Sequence, residues 1–437
     1  MDLLYVDNYR GFSEALIPLS DINFFVGENS TGKTSILSII KVLHSQNFWL
    51  NGDFNVPGME FGCFNDIVSK NSKDKKSFVV GFLSKSRDKD SSRMIAFAIR
   101  FVNVDSSPFP RELKYICNGL DIHIKTGRSS LDFKISKGVD FNQDNKVEIF
   151  KNWISQFKST TTGFKRLKAG PFRFMLDKPF GLMSYMNHIV LTKVKGKKSQ
   201  QSVQNDPTSD LISLAANWIA PIRSKPKGLY QGHKITPSPE GDHVPFVLKR
   251  FLKDSSKNAV AFREKLKAFG LESGLFETIK TKPFGKGETA PFELSITFGA
   301  TDYKLNSVGY GISQVLPILI EAMLDKVSDV FIIQQPEVHL HPRAQAAFGE
   351  VISKENEISK KRFCVETHSD FVIDRFRLSF SRRAENTSSA QVLFFERIGS
   401  SNKVTSIEID KEGKYSEGQP NAFRDFFLKE QLSLLEI

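Results

Sequence analysis

Nine residues near the start of the chain, "GENSTGKTS" at 27–35, satisfy the pattern G-x-x-x-x-G-K-[ST]. In such a stretch glycines let the backbone bend tightly, so that successive N–H groups point at phosphate oxygens, and the helix that follows adds its positive end. The pattern assigns a triphosphate cradle to Asn29, Ser30, Thr31, Gly32, Lys33, Thr34 and Ser35. Lys33 would reach the β- and γ-phosphates, and the Thr34 hydroxyl would hold Mg²⁺. Three later stretches carry further candidates. "SVGYGISQVLP" at 307–317 is a Gly-rich turn opening an apolar helix, and its Ser307, Gly309 and Gly311 suit a second anion-binding nest. "DVFIIQQPEVHLHP" at 329–342 is a hydrophobic run that breaks into Gln334, Gln335, Pro336 and Glu337. In "FCVETHSDFVIDR" at 363–375 a strand ends in His368, and an imidazole at a strand end beside a phosphate loop can contact a γ-phosphate. His339 and His341 stand two apart with no Cys or third His nearby, a spacing that makes no helix-face metal pair.

These residues need elements to hold them. "INFFV" at 22–26 reads as a short buried strand running into Gly27, and "SILSIIKVLH" after the loop has helical spacing of apolar positions. From Phe78 to about Ile135 short β-rich runs alternate with polar turns, as in an antiparallel meander. Residues 145–290 read as mixed and largely helical, with exposed polar connections at 196–210 and 233–243. From Phe292 onward strands ("FELSITFG", "DVFII", "RFCVE", "QVLFFERI") alternate with helices ("GISQVLPILIEAML", "PRAQAAFGEVISK", "SDFVIDRFR"), which predicts a parallel α/β sheet. The N-terminal strand needs neighbours, and these are the ones on offer. The expectation is an α/β nucleotide-binding head built from both ends of the chain. Residues 1–145 would form its N-terminal part with a β-lobe, 146–290 a basic insertion, 291–410 its C-terminal part, and 411–437 a docking segment.

At 437 residues the chain is long enough for two or three structural units, and 40% hydrophobic with 25% charged residues argues against wholesale disorder. Most of its 39 Phe should be core. No stretch reaches the ~18 uninterrupted apolar residues of a membrane span, and the start lacks the pattern of an export signal. Cys63, Cys117 and Cys364 are few and far apart, so neither a disulfide framework nor a zinc site is expected, and a reducing cytoplasm fits. The 61 Lys and Arg exceed the 49 Asp and Glu by 12, with the excess in runs at 70–76, 193–198 and 249–286. Such a balance suits polyanion binding, and solvated loops are the competing reading.

Taken in order, these motifs resemble the ABC-type ATPase heads of the OLD, RecF and SMC kind, and most closely the prokaryotic OLD-like family called AAA-fifteen. "VDNYRGFSEALIPLSDINFFVGENSTGKTSIL" is similar to that family's opening, "SVGYGISQVLPIL" to its signature, "QQPEVHLHP" to its Walker B block and "THSD" to its histidine switch. "WIAPIRSKPKGLY" and "IDKEGKYSEGQPNAFRDFFLKEQLSLL" resemble two further blocks, while 70–210 carries little resemblance. The resemblance implies ATP and Mg²⁺ bound between two heads, in a homodimer or larger even assembly. Lys33, Thr34 and His368 of one subunit would face Ser307, Gly309 and Gly311 of the other.

In the family the Walker B strand ends in an acid that helps hold Mg²⁺, followed by Glu or Gln. The matching positions here are Gln334 and Gln335, so the resemblance puts Gln334 beside Thr34 at the metal and Gln335, Glu337 and His368 in catalysis. A carboxylate stabilises the metal by its charge and accepts a proton from water, whereas an amide can only orient. Tight ATP binding with slow hydrolysis is expected, unless Glu337 or an acid elsewhere takes the role. The implied function is an ATP-gated sensor or regulator in anti-phage defence, acting on a separate nuclease or toxin, since nothing reads as a nuclease centre. The alternatives are a RecF-like ATPase acting directly on DNA and a non-hydrolysing ATP-bound scaffold. No heptad run of SMC length is present between the motifs.

Overall fold

The computed structural model describes residues 2–71, 75–85, 94–117, 119–127, 130–141, 145–168, 176–194, 211, 214–324 and 330–434. Parts of the basic runs at 70–76 and 193–198, and the polar connection 196–210, lie outside these residues. The chain divides into two compact units, Met1–Leu19 with Glu28–Ala215 and Phe395–Val404, and Ser20–Gly27 with Ala216–Phe394 and Thr405–Ile437.

The first unit contains the expected meander, extended into an eight-stranded antiparallel sheet. Its order is Ala15–Pro18, Leu3–Asp7, Ser77–Lys85, Met94–Val104, Ser107–Cys117, Leu120–Thr126, Ser130–Lys137, Lys165–Lys168. Local chemistry explains the tightest connection. Val104 pairs with Ser107, and the two residues between, Asp105 and Ser106, are both left-handed (φ 50° and 65°), the geometry of a hairpin turn that matches strand twist. The helix Lys146–Ser159 lays Phe150, Trp153, Ile154 and Phe157 against Leu3, Tyr5, Val79, Leu83, Ala96 and Ala98 of the sheet. Elsewhere in the unit Phe48, Trp49, Phe54, Phe82, Phe97 and Phe101 meet largely edge to face, the arrangement that aromatic quadrupoles prefer.

A six-stranded sheet organises the second unit, in the order Ala216–Ile219, Val330–Gln334, Arg362–Glu366, Ile22–Gly27, Ala390–Ile398, Ser401–Ile409. The first three junctions are parallel. "VFIIQ" and "INFFVG" are buried at every position, as strands covered on both faces must be. The expectation that the phosphate-loop strand would pair with C-terminal strands is thus met, by Arg362–Glu366. "FELSITFG" departs from expectation. It forms Phe292–Phe298, the middle of a separate antiparallel sheet with Thr278–Pro283 and Thr301–Lys304. The reason is local: Gly299 (φ 56°) turns the chain back within two residues, so Phe298 pairs with Thr301, whereas joining a parallel sheet would require a long crossover.

Helix ends in this unit follow capping rules. The Ser369 hydroxyl accepts from the Val372 N–H, Ser256 accepts from Ala259, and Gly274 (φ 71°) ends Lys257–Ser273. The basic stretch 249–286 is partly consumed internally. Lys249 donates to the Glu288 and Ala290 carbonyls, Lys265 pairs with Glu355 at 2.7 Å and Lys280 with Asp302 at 2.9 Å, while Arg250, Lys253, Lys257 and Lys267 are exposed. Among the described residues no helix is long and apolar enough to cross a membrane. Cys364 is buried, and burial pushes its thiol up to about 12, which keeps it unreactive.

Two helices, Pro342–Ser359 and Asp370–Ser381, cross at Gly349, where a Cβ would run into the Val372 carbonyl and sit 3.0 Å from the Phe376 amide nitrogen. Gly349→Ala gains up to about 1 kcal/mol of helix propensity, but overpacking a tight crossing costs about 1–3 kcal/mol. A net fall in stability is expected, read as a lowered midpoint of urea unfolding. An unchanged or raised midpoint would show that the crossing yields.

Candidate nucleotide site

Gly27 ends its strand with φ 141°, and two residues of the following loop are left-handed, Ser30 (φ 63°) and Gly32 (φ 94°). Alternation of this kind turns successive N–H groups inward and makes an anion-binding concavity. Thr31 Oγ1 donates to the Glu28 carbonyl at 2.8 Å, and Lys33 Nζ to the same oxygen at 2.7 Å, so the lysine is folded over its own loop. The helix Lys33–Leu43 begins directly behind, with Thr34 exposed and Ser35 held from the side. Tyr9 OH donates to the Ser35 carbonyl at 2.9 Å, and Arg10 Nη1 to Ser35 Oγ at 3.3 Å. Gly32 is required twice over, by its φ and by crowding, since a Cβ there would lie 2.6 Å from the Phe12 ring.

In the second unit the remaining motifs gather at the carboxyl edge of the parallel strands. Gln334, Glu366 and Phe25 are register partners on adjacent strands, and Gly27 lies two residues beyond Phe25 on the same edge. Gln334 Nε2 donates to Glu366 Oε2 at 2.8 Å. The chain then turns at Gln335, left-handed at φ 43°, with the Gln335 N–H on the Glu366 carbonyl at 2.8 Å. Glu337 binds the histidine turn. Its Oε1 accepts from the His368 N–H and its Oε2 from the Thr367 hydroxyl, both at 2.8 Å. Burial raises the Glu337 carboxyl above its ordinary value, opposed by those two donors and by the charge of Arg223. The His368 ring lies 6.1 Å from that of Phe426.

The signature turn meets the same loop. A Cβ on Gly311 would stand 2.6 Å from the His339 carbonyl, and the Tyr310 and His339 rings are 6.1 Å apart. Ser307, Gly309 and Tyr310 are exposed. His341 caps Pro342–Ser359 by accepting from the Ala344 N–H, so it has a structural task. Deeper in the signature helix Tyr310–Met323, the buried Glu321 accepts from His243 and Asn217, which anchors the helix to its surroundings.

Three residues escaped the sequence reading. Arg223, 4% exposed, donates from Nη2 to the Gln334 and Gln335 carbonyls at 2.7 and 3.3 Å, while its Nε and Nη1 have no hydrogen-bond partner. Burial draws its pKa down to about 10, so it is charged at neutral pH. Its own carbonyl accepts from Gln314 of the signature helix at 3.4 Å. The third is Glu366, 5% exposed. The only signals for these residues were the quoted blocks that contain them, "WIAPIRSKPKGLY", "SVGYGISQVLP" and "FCVETHSDFVIDR".

The family described as AAA ATPase domain, AAA_15, matches residues 1–373. Among solved structures, an SMC head bound to the C-winged helix domain of ScpA is 11% identical, with 94% of this chain and 98% of that one covered at a TM-score of 0.46. The SMC head domain from Thermotoga maritima is 14% identical, with 94% and 100% covered at 0.42. An Smc head with an extended coiled coil, bound to the C-terminal domain of ScpA and derived from Pyrococcus furiosus, is 11% identical, with 100% and 98% covered at 0.42. No curated protein matches the chain.

Glu337→Ala leaves the His368 N–H without its acceptor and is expected to lower stability by about 1–3 kcal/mol in denaturant unfolding. The folded state holds the Glu337 proton more tightly than the unfolded chain does. This carboxyl therefore contributes stability that is lost as pH rises from the ordinary carboxylate range through the raised folded value. Glu337→Gln should flatten that part of the stability–pH curve. An identical slope in wild type and variant would contradict the assignment.

Proposed function

From the premise that this chain belongs to the AAA ATPase domain family, we propose that it is an ATP-binding switch whose nucleotide occupancy governs association of two copies. The observation that carries the reading is the shared edge. Gly27 of the phosphate loop, Gln334 and Glu366 end neighbouring parallel strands, and ligands of open α/β sheets bind outside those carboxyl ends. Lys33 binds the β- and γ-phosphates, the loop amides from Asn29 to Ser35 bind the phosphate oxygens, and Thr34 with Gln334 stands on the Mg²⁺ side. Bound Mg²⁺ would neutralise phosphate charge. Ser307, Gly309 and Gly311 act on the nucleotide of the second copy, supported by the exposure of Ser307 and Gly309. His368 reads the terminal phosphate, and Gln335 orients water without taking its proton.

Slow turnover follows, because neither amide is a base. The output is control of a separate effector, a nuclease or toxin of the kind found in anti-phage defence, in the cytoplasm. The exposed cations at Arg250, Lys253, Lys257 and Lys267 suit nucleic acid or an acidic partner. A second reading, a scaffold with permanently bound ATP, is favoured by the bond between Gln334 and Glu366, which ties up the amide at the strand end.

Lys33→Ala removes a charge-assisted contact of about 3 kcal/mol, so ATP affinity by calorimetry should fall at least about 100-fold with the fold intact. Retained tight binding would place the nucleotide elsewhere. For the choice between switch and scaffold, single-turnover hydrolysis of labelled ATP should speed up in Gln334→Glu, and a rate still at background favours the scaffold. Sedimentation with ATP and with ADP tests association: wild type is expected to dimerise with ATP only, and Gly309→Trp, in open space on the exposed turn, to stay monomeric.

A further inference from the structure

Two amides at the strand end leave the metal side of the site without charge, and the structure points to where that charge resides. Glu366 ends the strand next to Gln334 and is its register partner. The two side chains are joined by the 2.8 Å bond from Gln334 Nε2 to Glu366 Oε2. An amide partner orients a carboxylate and leaves its negative charge in place. The nearest rival is Glu337, whose two oxygens are each committed to the histidine turn. Mg²⁺ in nucleotide sites takes one or two carboxylates and completes its shell with phosphate and water oxygens, so a single acid at this edge suffices.

We propose that Glu366 supplies the metal-side carboxylate of the nucleotide site, with Gln334 acting as the positioning residue that aims it. The proposal rests on the ATP-binding reading above. Amide and acid stand on one cross-strand pair, and exchanging them keeps their mutual hydrogen bond. The Glu366 carbonyl, which accepts from the Gln335 N–H, ties the acid to the turn that follows Gln334.

The test uses the full chain and Mn²⁺ as the probe, with Mn²⁺ affinity in the presence of ATP read by electron paramagnetic resonance and metal-free ATP affinity by calorimetry. Glu366→Gln should weaken Mn²⁺ at least about tenfold, the loss that even an outer-shell partner brings, with metal-free ATP binding unchanged. The exchanged pair Gln334→Glu with Glu366→Gln should recover wild-type Mn²⁺ affinity. If Glu366→Gln holds Mn²⁺ as wild type does, the assignment is overturned while ATP binding stands. If wild type binds no ATP, it is the functional reading that fails. Should Glu366→Gln not fold, Fe²⁺ with peroxide and ATP on the wild-type chain decides. Backbone cleavage beside residue 366 supports the proposal, and cleavage confined to other segments overturns it.

Discussion

Parallel pairing between Ile22–Gly27 and Arg362–Glu366 is the constraint on which the rest of the second unit depends. The two strands are some 340 residues apart, and closing so long a loop is unfavourable, though only logarithmically so. What offsets it is burial of strands that are apolar along their whole length and have no solvent-compatible face. Once the strands run parallel, their carboxyl ends share one edge by geometry alone. The phosphate loop, the Gln335 turn and the histidine turn all leave the sheet there.

Polar groups at that edge are held by one another. Glu337 fixes the histidine turn, Gln334 fixes Glu366, and Arg223 fixes the carbonyls of Gln334 and Gln335 while its own carbonyl meets the signature helix. Gln335 and His339 hold left-handed conformations that a free chain seldom adopts, and such strain persists only where the surroundings over-determine it. Gly311, close against the His339 carbonyl, lets the signature helix begin at that loop. A displacement of the strand end is therefore transmitted to the signature turn through short, buried contacts, which is the mechanical requirement of a switch. Arg223 remains the costliest element, a buried charge with two unpaired nitrogens, offset in part by the nearby charge of Glu337.

Features of local origin were legible in the sequence: the phosphate loop from its glycines and lysine, the strand before and helix after it, the meander, and the helix entry at Ser369. Each depends on residues a few positions apart, where turn chemistry, capping and side-chain period act. The α/β class followed from the alternation of those periods. Tertiary structure alone decided which strands meet, and so it placed "FELSITFG" in an antiparallel sheet, turned Lys249 and Lys265 inward, and brought Arg223 and Glu366 to the edge that holds Gln334. A carboxylate's role depends on what lies across the sheet from it, and register over hundreds of residues leaves no local mark. The amino-acid order determined that a phosphate cradle exists, whereas the parallel register decided which acid stands beside the amides at its edge.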